Sequence, residues 1–103
     1  MTVVTTENAE AHLQYEIFTD KTVYECRVWL TPEECGGFSV EIVSLPGVVS
    51  EGESEKEAIS NLKEAFRAAI AVYSDLDQDI PWSGDIPKEI PLRVKERWIL
   101  VDA

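Results

Sequence analysis

The stretch from Gly36 to Tyr73 constrains the fold most, because turn residues and hydrophobic periods follow one another in it without a break. Apolar and polar residues alternate over positions 38–42, which predicts a strand with one apolar face. Pro46 and Gly47 then predict a tight turn, since proline pre-sets φ and glycine accepts a positive φ. A strand, a turn and a shorter strand are therefore expected before any helix begins.

A capped helix is expected to follow the shorter strand. Ser54 and Glu57 have the spacing of a capping box, and the acids around them suit the positive end of the helix dipole. Apolar residues recur at helical spacing beyond this point. We predict a helix from about Glu55 to Tyr73 or Leu76, which ends where aspartates crowd negative charge at the other end of the dipole.

Two further strands flank this stretch. Val23 to Leu30 alternates between two faces, and Val94 to Val101 does the same near the end of the chain. The element order is β-β-β-α-β, so we predict an α+β fold in which an antiparallel three-stranded meander precedes one helix and a C-terminal strand. The helical crossover permits the last strand to run parallel to an earlier one, most simply to residues 23–30.

The two least regular segments are the N-terminus and the region after the helix. Residues 1–12 lack periodicity and predict a flexible tail, which leaves residues 13–103 as a single domain. Leu13 to Asp20 fits either a short edge strand or an arm. Ile80 to Pro91 is rich in proline, but its apolar anchors favour a packed connector over a polyproline-type ligand for another domain.

Charge and composition narrow the classes of partner. The formal net charge of −11 argues against nucleic acid and anionic membrane surfaces, and it is compatible with a basic protein partner. Surface acids that only keep a small protein in solution would give the same balance. No apolar run approaches the roughly 20 residues that cross a bilayer, and residues 1–10 show no secretory signal, so the cytoplasm is the expected location.

No residue pattern indicates catalysis, a metal or a cofactor. His12 is the only histidine and lies in the predicted tail. Cys26 and Cys35 are too far apart in the predicted strand arrangement for a disulfide, so both are predicted to be free thiols. Aspartates after the helix alternate like calcium ligands, but the glycine and glutamate of a calcium loop do not follow them. We therefore predict a protein that is not an enzyme.

The sheet face opposite the helix is the candidate binding surface. It would carry Trp29, and an uncovered tryptophan is costly unless something packs on it. Two alternatives remain open: this face or the edge beside it is an interface, or the N-terminal arm or the connector folds over Trp29. The predicted partner contacts are Trp29, Glu41, Glu51, Glu53 and Glu55.

An ordered set of residues in the central stretch resembles the HicB antitoxin family. The matching positions are Leu45, Pro46, Gly47, Gly52, Ser54, Glu57, Ala58, Asn61, Glu64 and Ala65. With the preceding strand, the resemblance covers about half of the chain. It implies a partial RNase H-like fold of order β-β-β-α-β, without RNase H activity. It also implies a protein that binds and neutralises a small basic RNA-cleaving toxin, HicA.

The chain departs from this family pattern in a few places. Many members continue into a C-terminal DNA-binding domain, whereas this chain ends at Ala103, just past the last predicted strand. Val48 stands where many relatives have cysteine, and the first stretch of about 20 residues has no counterpart. We accordingly expect an antitoxin-like homo-oligomer, a dimer or tetramer, without its own DNA-binding domain. The alternative is a stand-alone oligomeric HicB-like structural or adaptor domain with no toxin partner.

Overall fold

The computed structural model describes residues 2–5, 13–16, 22–84 and 87–103. The elements in these ranges are β1 (Thr2–Thr5), β2 (Leu13–Glu16), β3 (Thr22–Pro32), β4 (Phe38–Ile42), β5 (Val49–Gly52), α1 (Glu55–Asp75) and β6 (Lys95–Asp102). β1 lies within residues 1–12, which were predicted to be a flexible tail. β2 lies within Leu13 to Asp20, for which a short edge strand was one of the two predicted alternatives. The division between a tail and a domain at residue 12 stays a prediction, and His12 lies outside the described residues.

The sheet is built around β3, which has neighbours along both of its edges. β6 pairs with one edge, from Val23 opposite Asp102 to Leu30 opposite Lys95. The other edge is shared, because β4 pairs with the C-terminal part of β3 and β2 with its N-terminal end. β5 and β1 extend the sheet outward from β4 and β2, and all of these pairs are antiparallel. The predicted α+β fold with a meander of β3, β4 and β5 is confirmed.

The direction of the last strand corrects the prediction. β6 pairs with β3, the partner that the sequence indicated, but it runs antiparallel to β3 rather than parallel. The reason lies in the positions of the two elements that residues 76–94 connect: β6 begins opposite Leu30, at the end of the sheet where α1 starts rather than where α1 ends. Extended chain advances by about 3.3 Å per residue, so a segment of this length can return to the end of the sheet at which α1 starts. α1 and β6 then run in the same direction, with Glu55 beside Arg97 and Arg67 beside Asp102.

α1 has the predicted boundaries and a specific hydrogen bond at each end. Ser54 Oγ accepts a hydrogen bond from the Glu57 N–H at 3.1 Å, as the capping-box spacing predicted. At the other end, Asp77 has a φ of 53°, and the Gln78 N–H donates to the Tyr73 carbonyl at 2.9 Å. This is the geometry of a Schellman motif, in which an aspartate occupies the left-handed position that glycine usually takes.

The hydrophobic core lies between α1 and one face of the sheet. Ala58, Leu62 and Phe66 are the buried residues of α1. Tyr24 of β3 meets the ring of Phe66 edge-on, with ring centroids 5.3 Å apart. Trp82 of the connector completes the cluster, at 5.9 Å from Tyr24 and 6.2 Å from Phe66. The region after the helix is therefore the packed connector that its apolar residues predicted.

The connector contacts both faces of the sheet. Trp82 packs in the core under α1, and the next residue, Ser83, donates its N–H to the Ser44 carbonyl between β4 and β5 at 2.8 Å. Further along, the Pro87 carbonyl accepts a hydrogen bond of 2.9 Å from Nη1 of Arg27, whose side chain points away from α1. The chain thus passes from the helix-covered face to the opposite face before it enters β6.

The two thiols are both free, as the sequence predicted. Cys26 is buried in β3 and Cys35 is exposed in the loop that follows this strand. Within the described ranges, none of the helical segments combines the length and the hydropathy that a membrane span requires.

Candidate partner-binding surface

The face of the sheet that α1 leaves uncovered is the open face. Strand alternation and the pairing register place on it Glu25, Arg27 and Trp29 of β3, Glu41 of β4, Val49 and Glu51 of β5, and Glu96, Trp98 and Leu100 of β6. Acidic, basic and aromatic side chains therefore share one surface, and their pairing decides which of them a partner can reach.

Trp29 is buried on the open face although no helix covers it. The residue is only 9% exposed. The Arg27 guanidinium lies over its ring, 5.6 Å from the centroid, and the indole N–H donates to Oε1 of Glu96 at 3.3 Å. Arg27 also pairs directly with Glu96 through Nε. The tryptophan is thus enclosed by an ion pair, with its polar atom satisfied.

The connector contributes to this enclosure, because Arg27 also donates to the Pro87 carbonyl. Arg27 therefore joins β3, β6 and the connector on the open face. This arrangement favours the alternative in which the chain itself covers Trp29. The hypothesis of an interface that rests on an uncovered tryptophan loses its main support, and a partner-binding role for Trp29 stays a prediction.

Three of the four predicted acidic contacts, Glu41, Glu51 and Glu53, are exposed, and together they are called the acidic edge. Glu41 faces Val49 across the β4–β5 ladder, so Glu51 is its diagonal neighbour, at about 7–8 Å in such a ladder. Glu53 follows in the turn before α1. Among the described residues, none of these three carboxylates takes part in a salt bridge.

Glu55 differs from the acidic edge because an arginine already engages it. Nε and Nη2 of Arg97 donate to its two carboxylate oxygens at 2.9 and 3.3 Å. This bidentate pair links the first residue of α1 to β6. Glu55 therefore stabilises the contact between α1 and β6. Its predicted role as a partner contact stays a prediction.

Half of the ten positions that resemble the HicB pattern build the junction between β5 and α1: Gly52, Ser54, Glu57, Ala58 and Asn61. At Gly52 a Cβ atom would lie 2.4 Å from the Ala58 nitrogen, so only glycine allows the strand to approach the helix this closely. Asn61 donates from Nδ2 to the Glu51 carbonyl at 2.8 Å, which ties α1 to β5. These residues hold β5, and with it the acidic edge, in place beside the helix N-terminus.

Sequence reasoning missed two features of the open face. The Arg27–Glu96 pair becomes visible only when the register is known, because the two residues are 69 positions apart. Trp98 and Leu100 fall on one face of the alternating last strand, but their exposure, 50% and 59%, is known only from the structure. The signal was present in the alternation of β6, yet the sequence did not show which face would be covered.

The buried thiol of Cys26 and the buried phenol of Tyr24 both have raised pKa values. Burial raises the pKa of the Cys26 thiol to about 12, with a smaller contribution from the Glu25 carboxylate. The pKa of Tyr24 is raised as well, mainly by burial and then by Cys26. A thiol of this kind is protonated at neutral pH and is a poor nucleophile. Across the residues that the structure describes, no cluster of acidic, histidine or cysteine side chains is arranged to hold a metal ion.

The fold and the central motif have counterparts among known proteins. The chain is 39% identical over 54 residues to UPF0150 protein Ta0767 of Thermoplasma acidophilum, a match that covers 52% of this chain and 78% of the relative. It is 31% identical over 81 residues to antitoxin HicB of Escherichia coli strain K12, covering 74% of this chain and 59% of the relative. Antitoxin HicB 1 of Photorhabdus laumondii is 27% identical over 79 residues, covering 74% and 51% respectively.

A solved structure shares the fold. The N-terminal domain of Burkholderia pseudomallei antitoxin HicB superposes with a TM-score of 0.55 at 24% identity, over 75% of this chain and 94% of that domain. The present chain spans about half to three-fifths of the length of the HicB antitoxins that it matches. It matches no protein-family profile. The solved domain shows the shared fold. The sequence identity and coverage show that the chain belongs to the HicB antitoxin/UPF0150 family, a non-enzymatic family.

Proposed function

We propose that this chain is a HicB-type antitoxin that acts in the cytoplasm and neutralises a small basic RNA-cleaving toxin of the HicA type by covering its surface. The observation that carries the proposal is the acidic edge, where Glu41, Glu51 and Glu53 are exposed and form no salt bridge among the described residues. Carboxylates in this state are available to the basic side chains of a partner.

The remaining charges of the described sheet support this assignment. Arg27 pairs with Glu96, Arg97 with Glu55, and Arg67 with Asp102. Each of these arginines compensates an acid within the chain, and all three pairs involve β6 or its neighbours. The side of the sheet formed by β4 and β5 therefore keeps uncompensated negative charge, within a chain whose formal net charge is −11.

Masking is the mechanism that this surface supports. An RNA-cleaving protein needs basic side chains to hold the phosphate backbone. If those side chains pair with the acidic edge, RNA loses access to them, and no catalytic group of the antitoxin is required. The close-packed junction between β5 and α1 holds the backbone of Glu51 before binding, which reduces the conformational entropy lost in the complex.

The test is a capture experiment in which the wild-type chain and an acidic-edge variant serve as bait in extracts of the source organism. The variant carries Glu41→Gln, Glu51→Gln and Glu53→Gln, which removes charge without changing side-chain size. The wild type is expected to retain a small basic protein that rising salt releases and that cleaves RNA once free. The variant is expected to retain at least about 10-fold less of it, since each exposed charge pair contributes on the order of 1 kcal/mol.

The matched control carries Asp75→Asn, Asp79→Asn and Glu89→Gln, which changes the charge equally at exposed positions away from the acidic edge. It should retain the partner as well as the wild type does. Equal loss in both variants would mean that only overall charge matters. Retention by the acidic-edge variant would contradict the assignment of the contact surface.

A second candidate function is a stand-alone oligomeric adaptor domain without a toxin. Trp98 and Leu100 favour it, because both are large apolar side chains exposed next to each other on one strand face. The capture experiment separates the two functions. Recovery of only the bait's own copies from an extract that contains RNA-cleaving basic proteins supports the adaptor and contradicts the antitoxin.

A further inference from the structure

The outer edge of β6, the edge away from β3, is an open strand edge in the part of the chain that the structure describes. Among the described residues, β6 pairs only with β3. The Ala103 N–H donates to the Thr22 carbonyl at 3.0 Å while Asp102 lies opposite Val23, which fixes the phase of the antiparallel ladder. In this phase, Trp98 and Leu100 direct their backbone N–H and C=O groups away from β3.

Two arginines mark the limits of this open edge. Arg97 Nη1 donates to the Glu96 carbonyl at 3.0 Å, and Arg67 Nε donates to the Asp102 carbonyl at 2.9 Å. Both carbonyls point outward in the same phase. The outward backbone groups of the two residues between them, Trp98 and Leu100, have no hydrogen-bond partner in the described part of the chain. The edge therefore offers one short stretch of unused donors and acceptors.

The side chains of Trp98 and Leu100 are large and apolar, and both are exposed to solvent. Trp98 and Leu100 lie on the open face and are 50% and 59% exposed. A strand that pairs with this edge would cover both the polar backbone and the apolar side chains.

We propose that a second copy of this chain pairs with this edge, β6 against β6, antiparallel and centred on Ile99. In this register Trp98 lies opposite Leu100 of the second copy, and Leu100 opposite its Trp98. Each pair exchanges both backbone hydrogen bonds, and the four apolar side chains meet on the open face. The pairing ends at the carbonyls that Arg97 and Arg67 already occupy.

The occupant is a second copy because the edge is complementary to itself. A two-fold axis through Ile99 satisfies all the unused backbone groups of the stretch at once, which is a closed, isologous contact. A two-fold axis through Trp98 or through Leu100 would leave some of these groups unused or direct them to the occupied carbonyls.

Charge permits this contact in a chain that otherwise repels its copies. β6 carries Lys95, Glu96, Arg97 and Asp102, so its local charges balance, whereas the whole chain has a net charge of −11. Glu96 would come opposite Asp102 of the second copy, but Arg27 holds Glu96 and Arg67 holds Asp102. The dimer does not depend on the toxin proposal, because the acidic edge lies beside β4 and β5, across the sheet from the free edge of β6.

The first test measures mass in solution by light scattering on the full chain, with two matched variants. Leu100→Lys and Val49→Lys add the same charge at sites of nearly equal exposure on the same face, 59% and 58%, but Val49 lies on β5. We expect a dimer for the wild type and for Val49→Lys, and a monomer for Leu100→Lys. Leu100→Pro should also give a folded monomer, because the N–H that it removes points outward. A monomeric wild type, or a dimer that Leu100→Lys leaves intact, would overturn the proposal.

The second test fixes the register by oxidative cross-linking in a Cys35→Ser background. In the proposed register the two copies of position 99 form a non-hydrogen-bonded pair, with Cα atoms about 4.5 Å apart, within disulfide range. Ile99→Cys should therefore give a covalent dimer. Leu100→Cys should give at least about 10-fold less, because its counterpart is diagonal, at about 7–8 Å. Preferential cross-linking at position 100 would refute the register.

Discussion

The two outer sides of the sheet differ in how their charges are arranged. On the β5 side, Glu41 and Glu51 are exposed and have no arginine partner in the described structure. On the β6 side, arginines pair with the acids, and the remaining surface is apolar at Trp98 and Leu100. One small sheet thus presents an electrostatic surface and an apolar one. From this difference we predict that the proposed binding of a basic partner and the proposed self-association can be altered separately.

The largest expected effect comes from Gly52, which lets β5 approach α1. Gly52→Val would place a Cβ 2.4 Å from the Ala58 backbone nitrogen, which cannot move without displacing the helix. We expect a loss of about 3 kcal/mol in the free energy of unfolding, measured in urea. The substitution should also displace β5 and the acidic edge that it carries. Gly47→Ala is the control: a Cβ there meets no atom within 4 Å, so only its φ of 97° costs stability, about 1 kcal/mol. Equal losses in both variants would contradict the close-packed junction.

The next effect concerns the β6 side, where Glu96 holds both Arg27 and the Trp29 indole. Glu96→Ala leaves these two donors without their acceptor in a largely buried site, and should lower the free energy of unfolding by about 2 kcal/mol. For a chain of this size, that corresponds to a decrease in Tm of about 8–16 °C in a calorimetric scan. Glu89→Ala, at an exposed position, should change Tm by little. An unchanged Tm in Glu96→Ala would show that the pair does not stabilise the open face.

A smaller effect is a loss of stability under alkaline conditions, which comes from Cys26. Its folded-state pKa of about 12 exceeds the ordinary value of 9.0, so its contribution to stability is complete below pH 9 and is lost as pH rises toward 12. Urea unfolding measured from pH 8 to pH 11 should show a decline that Cys26→Ala reduces. At pH 8, a thiol reagent should modify Cys35 in the folded chain and leave Cys26 unmodified. Rapid modification of both thiols would contradict this burial.

The smallest effect is expected at Asp77, beyond the end of α1. Asp77→Gly should raise the free energy of unfolding by about 1 kcal/mol, because the φ of 53° suits glycine and the substitution removes a negative charge near the helix C-terminus. Asp77→Asn removes the charge and keeps a side chain, so it separates the two causes. A loss of stability in Asp77→Gly would mean that the Asp77 side chain stabilises the turn.

The sequence predicted the local structure well because local signals determine it. The cap at Ser54, the turn at Pro46 and Gly47, and the two-residue period of the strands each act within a few residues. The motif that resembles the HicB pattern lies in this part of the chain, and the structure explains it through Gly52 and Asn61 at the strand–helix junction.

The sequence did not predict features that depend on distant pairing. The direction of β6 follows from the route of the connector, and the burial of Trp29 follows from a contact between Arg27 and Glu96. Neither has a local signature, because both require the register of β3 with β6. The acids of the candidate site were identified by charge alone, and only the structure separates Glu55, which is paired, from the exposed acidic edge.

The most direct test of the antitoxin proposal is inhibition of RNA cleavage by the purified chain added back to the captured basic toxin. The proposal predicts that the wild type, the control carrying Asp75→Asn, Asp79→Asn and Glu89→Gln, and the dimer variant Leu100→Lys all suppress cleavage at similar concentrations. The acidic-edge variant should require at least about 10-fold more protein. Cleavage that the wild type does not suppress, or that the acidic-edge variant suppresses equally well, would contradict the proposal.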